Sequence, residues 1–237
     1  MRFLGLTLGI CLIPMILVIA RYGYGRESQL VHQLGAGQNA CQKSNVSINV
    51  AIGWTVERAK QESIALAKPE TAGFDAGLSS YVYQPGSLEY QGGIPLQFSC
   101  PRMVSVSAKA GLISSVQIFL DSDDPSSLDK AMDLAASWEA KLNGMGLENL
   151  SANRAENVTP PQDVPAFFKL ADSPLSITAG KVLGVWRRQD EEISVGVERW
   201  NIAPSTFGKA KYIYVVEIII SKYLPIAIPS LRKGGEG

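Results

Sequence analysis

IPLQFSCPRMVSVSAKAGLISSVQIFL, residues 94–120, is the stretch that decides the fold. Ile94, Leu96, Phe98 and Cys100 alternate with their neighbours, Met103 to Ala108 follows, and Leu112 to Leu120 returns after Lys109-Ala110-Gly111. Alternation at period two marks half-buried strands, because successive side chains leave opposite faces of the pleat. A three-residue link ending in Gly suits a hairpin whose last loop residue needs positive φ. The stretch therefore reads as an antiparallel meander.

Upstream, Val46, Ile48, Val50, Ile52 and Trp54 alternate with Ser47, Asn49, Ala51 and Gly53, which predicts another strand. A helix is expected over residues 55–68, with Thr55 as cap, Glu57 in the first turn and Pro69 as stop. Residues 69–93 read as irregular, because Gly73, Gly77, Pro85, Gly86, Gly92 and Gly93 interrupt a short strand at Ser80–Tyr83.

Downstream, Asp124-Pro125 predicts the start of the main helix, with Asp at the cap and Pro at the first helical position. Leu128, Ala131, Ala135, Trp138 and Leu142 form its apolar face, and Asn143-Gly144 ends it. Residues 145–179 read as loop with a short helix through Phe167 and Phe168. Three strands follow, over residues 181–188, 191–200 and 211–221, the first two joined by a turn at Gln189-Asp190. The third is apolar on both faces except Glu217 and should be central.

This order predicts an α+β domain of antiparallel meanders with two or three helices packed on the sheet. Two halves, each a three-stranded meander, are conceivable, although no residue-level repeat links them.

Residues 3–20 carry no charge and, with the Tyr22 and Tyr24 flank, are just long enough to reach across a roughly 30 Å hydrocarbon layer. The expected organisation is an anchor over residues 1–22, a polar tether over 23–44, the domain over 45–223 and a loose tail over 224–237. The missing polar region before any cleavage point favours an anchor over a cleaved signal. Arg2 on one side and Arg21 plus Arg26 on the other leave orientation tied by charge. An exported layout breaks the tie and places the domain outside the cytoplasm, on the inner (plasma) membrane. Cys41 and Cys100 are then a candidate disulfide, which the chain-entropy model values at roughly 3–4 kcal/mol for a loop of about 60 residues. Two buried free thiols are the alternative.

With 22 basic and 22 acidic residues the chain has no net field to draw in nucleic acid. The single histidine, His32, falls in the tether, which removes Ser-His and Cys-His nucleophile pairs and most zinc sites. The acidic run Asp121, Asp123, Asp124 and Asp129 lacks EF-hand spacing and suits a helix start, so no metal and no cofactor are expected. Glu217 is the one acid whose surroundings should raise its pKa. Arg187, Arg188, Glu191, Glu192, Glu198 and Arg199 read as a solvated, cross-strand paired face, and Arg187, Arg188, Glu198 and Arg199 as a candidate partner surface.

The function expected from these residues is that of a membrane-tethered, non-catalytic domain binding an envelope protein, either as an inhibitor or immunity factor or as an assembly accessory. The alternative is a carboxylate-dependent hydrolase acting on envelope glycan or lipid. A purely structural tethered domain is the third class.

Overall fold

The computed structural model describes residues 46–63, 70–75, 78–83, 85–154, 157–170, 178–203 and 211–222. The expected anchor, with its apolar run 3–20, the tether with His32 and Cys41, and the tail lie outside them. No helix among the described residues is long and apolar enough to cross a membrane.

The fold is α+β, with a large antiparallel sheet, a small sheet that pairs β4 and β5 antiparallel, and three described α-helices. The strands are β1 (Ser47–Val50), β2 (Glu70–Asp75), β3 (Leu78–Tyr83), β4 (Ser87–Tyr90), β5 (Leu96–Ser99), β6 (Met103–Lys109), β7 (Leu112–Asp121), β8 (Glu148–Asn149), β9 (Thr178–Arg188), β10 (Glu191–Ala203) and β11 (Lys211–Lys222). The helices are α1 (Val56–Glu62), α2 (Leu128–Gly144) and α3 (Val164–Leu170). Eight strands form one sheet in the order β2-β3-β6-β7-β11-β10-β9-β8, antiparallel throughout, and β1-β4-β5 form a second. In the large sheet, β3-β6-β7 and β9-β10-β11 are two three-stranded sets whose last strands, β7 and β11, lie side by side at the centre.

Alternation builds the core. Val106, Val116, Ile220, Ile193 and Trp186 form one cross-strand row, and Val104, Ile118, Ile218 and Val195 form the next. Ala131, Ala135 and Leu142 of α2 close over this face, and Ile48, Val50, Leu88, Tyr90, Leu96 and Phe98 of the small sheet join the same cluster. Trp138 ties α2 to the small sheet by stacking on Phe98 at 4.8 Å. Trp186 donates its indole N–H to Asn143 Oδ1 at the end of α2.

Several expectations need correcting. The meander over residues 94–120 divides between the two sheets: β6 and β7 form a hairpin of the large sheet, whereas β5 pairs with β4 in the small one. The chain breaks at Cys100, whose φ is 52°, just before Pro101. The β6–β7 link holds two residues, not three, because Lys109 pairs with Leu112 and both Ala110 (φ 51°) and Gly111 (φ 77°) take the left-handed conformation. The first strand stops at Val50, where a turn sends Gly53 N–H to Ile113 O, and β1 pairs with β4 in parallel.

Residues 70–75, 78–83 and 87–90 are strands rather than irregular chain, with the register shift between Thr71 and Phe74 absorbing Ala72 and Gly73. Thr55 caps α1 as expected, its hydroxyl accepting from Arg58 N. The helix ends at Glu62, where Asn49 Nδ2 donates to the Glu62 carbonyl and Asn49 N to Ser63 Oγ. For α2 the cap is Ser127, accepting from Lys130 N, while Asp124 holds the preceding turn through Ser126. Pro125 lies outside the helix, and its carbonyl accepts from Tyr214 N.

Candidate functional site

The face of the large sheet opposite α2 carries its own apolar cluster, Met103, Phe119, Trp200, Ile213 and Val215. Two glutamates sit in it. Strand alternation puts Glu198 and Trp200 of β10 on this face, and the β10–β11 register sets Glu198 opposite Val215 and Glu217 opposite Gly196. The two glutamates are thus diagonal cross-strand neighbours, a spacing that long side chains bridge.

Their carboxyls hydrogen-bond to each other. Trp200 Nε1 donates to Glu198 Oε2 at 2.7 Å, and Gln117 Nε2 of β7 donates to Glu217 Oε1. Glycines make room on the β9 side. A Cβ on Gly180 would stand 2.9 Å from Glu198 Cγ, so the Glu198 chain lies across bare backbone there.

Burial pushes the Glu217 carboxyl up to about 7, with the neighbouring Glu198 charge and its hydrogen bond adding to the rise and the Gln117 amide opposing it. Burial also raises Glu198, against the donors Trp200 and Glu217. Both carboxyls are raised, so the pair favours holding a proton between them.

Charge recurs one position along the row. Asp121 stands opposite Val215 on β7 and accepts from Arg102 Nε at 2.5 Å. Both side chains are largely withdrawn from solvent, so this ion pair forms in the same apolar surroundings.

A second polar link joins the two sheets. Tyr90 of β4, fully buried, hydrogen-bonds to Glu191 at the start of β10, and Ile52 N donates to the Tyr90 hydroxyl at 3.4 Å. Burial, with Glu191 beside it, pushes the phenol far above its ordinary range, so the proton stays on Tyr90. Gly92 is required by close approach: a Cβ there would stand 2.4 Å from the Tyr90 hydroxyl and 2.5 Å from Glu191 Oε1.

The sequence-expected residues do not share one surface. Arg187 pairs with Glu148 of β8 through Nε at 3.0 Å and Nη2 at 2.6 Å, and Arg188 is exposed beside the Gln189–Asp190 turn. Arg199 points to the core side of the sheet. It is buried, donates to the Phe168 carbonyl at 2.7 Å and lies over the Tyr212 ring. Glu198 is on the other face, in the acid pair. Glu191 and Arg199 are therefore interior groups and not part of a solvated hairpin surface. Cys100 is disulfide-bonded, and Cys41 lies outside the described residues. Among the described residues no group of His, Cys, Asp and Glu is arranged to hold a metal ion.

Sequence reading found Glu217 from its place in an apolar strand, but its partners Glu198 and Gln117 follow only from the register. Searches for similar proteins return no matching family model, no matching curated protein and no matching solved structure.

Proposed function

We propose that the chain is a membrane-tethered, non-catalytic binding domain that meets a protein partner of the cell envelope, as an inhibitor or immunity factor or as an assembly accessory. The observation that carries the non-catalytic part is the closure of the acid pair. Each carboxyl is occupied by the other and by a fixed donor, Trp200 or Gln117. A glycan hydrolase of the two-carboxylate kind holds its acids about 5–9.5 Å apart, with the scissile bond between them. Two carboxyls in mutual hydrogen bond leave no such gap. A raised Glu217 is the one feature that favours the hydrolase reading, and here its proton is given to Glu198 and not to an open cleft.

Two features support the location. The uncharged run over residues 3–20 suits a membrane anchor. A disulfide at Cys100 suits an oxidising compartment. The exposed Arg188, next to Arg187 at the tip of the β9–β10 hairpin, is the basic group best placed to meet a partner.

The test is a photo-crosslinker at position 190, in the exposed turn beside Arg188, of the full-length protein in its own membranes. The expected result is one saturable protein adduct, lost on the double charge reversal Arg187→Glu, Arg188→Glu and retained in Glu217→Gln. Absence of an adduct from the membrane fraction, or recovery of the full chain with the soluble proteins, overturns the reading.

A further inference from the structure

We propose that Glu198 and Glu217 form a proton-operated latch on the sheet face opposite α2, closed by one shared proton and released when that proton leaves, with Trp200 freed from its acceptor geometry. Ionised carboxylates only accept hydrogen bonds, so two of them in contact require a proton between them. Trp200 already donates to Glu198, and Gln117 to Glu217. The remaining link is Glu217 O–H to Glu198.

No described cation stands in for that proton. On β7 the groups facing the pair are Gln117 and Phe119, and on β9 they are Gly180 and Val182. Met103 of β6 lies beyond Phe119 in the Glu217 row. Asp121, beyond Val215 in the Glu198 row, is held by Arg102, and Lys181 of β9 is placed over the Phe167 ring. On release, two like charges would stand side by side in an apolar cluster, which drives the side chains apart and admits water.

The direction follows from linkage. Glu217 sits at about 7 in the folded chain against the ordinary carboxyl value of 4.5, so between these values the folded state binds a proton that the unfolded state has lost. The contribution is complete below the ordinary value and disappears as pH rises through about 7. The folding equilibrium constant should fall on the order of tenfold to a hundredfold between pH 5 and pH 8 and level off above that.

The experiment is urea unfolding of the full-length protein in detergent across this range. It is done in a His32→Gln background, so that the single histidine cannot supply the slope. The expected result is a midpoint that falls with pH in the parent and is nearly level in Glu217→Gln, whose amide can donate to Glu198 in place of the acid. Carboxyl carbon resonances of the parent should show one glutamate titrating near neutrality. The Trp200 indole N–H resonance should move with it. An unchanged pH slope in Glu217→Gln overturns the latch. If that variant fails to fold, titration of both glutamates in the ordinary carboxyl range, or a Trp200 resonance that is constant from pH 5 to 8, overturns it on the parent protein alone.

Discussion

Strand β10 carries two interior glutamates with opposite partners. Glu191, at its start, meets a phenol; Glu198, further along and on the other face, meets a second carboxyl. Both glutamates are largely withdrawn from solvent, and each is set against a donor. The difference is the acidity of that donor. Tyr90 holds its proton throughout the physiological range, so the donor of the link between the sheets does not change with pH. Glu217 gives its proton up near neutrality, so the donor on the opposite face does. The glutamate alone does not decide whether such a link follows pH; the acidity of its donor does.

The largest way to break this comparison is at Gly92. A methyl group there has to displace the Tyr90 hydroxyl and Glu191 Oε1 together, in a site where both side chains are packed. Gly92→Ala should cost about 3 kcal/mol, combining overpacking with a lost buried hydrogen bond. Thermal or urea unfolding measures it, and a loss under about 1 kcal/mol would show that the link is not fixed as described.

Tyr90→Phe sharpens the comparison by turning the first glutamate into something like the second. Without the phenol, the Glu191 carboxylate keeps its burial and loses its donor, and its Oε2 already accepts from no described group. The expected cost is about 1–3 kcal/mol, that of a buried acceptor left without its donor, measured by urea unfolding. A cost below about 0.5 kcal/mol would mean that Glu191 is satisfied by something other than Tyr90.

Local pattern made much of the fold legible. Strands β6, β7, β9, β10 and β11 declare themselves by alternation, and the central position of β11 by its apolar run. Choices between distant partners are not local. Nothing in residues 94–100 says that β5 joins β4 and β1 and not β6, since the two sheets offer the same kind of apolar face. The start of α2 misled for a related reason. Both Asp124 and Ser127 are good caps, and the choice is settled by Pro125, whose carbonyl is taken by Tyr214 of β11.

Half of the acid pair was legible as well. A lone charge in an apolar strand marks Glu217, whereas Glu198 resembles its charged neighbours until the β10–β11 register is known. A slip of one residue would place Arg199 in the pair. Glu191 gave no local sign of burial, because its partner Tyr90 is about a hundred residues away in the chain.

Arg187 supplies the smallest effect and separates stability from binding. Its ion pair with Glu148 is at the surface, where the acid is more than half exposed, and it clips the two-residue β8 to β9. Exposed pairs of this kind contribute between nothing and about 1 kcal/mol, and salt screens them. Arg187→Ala should therefore shift the unfolding midpoint by at most that amount, and by less in 0.5 M salt, measured by urea unfolding. This small cost makes the residue a usable probe: a large drop in partner crosslinking on reversal at Arg187 and Arg188 then reports the surface and not the fold. A cost well above 1 kcal/mol, unaffected by salt, would instead make β8 a structural clasp and remove Arg187 from the partner surface.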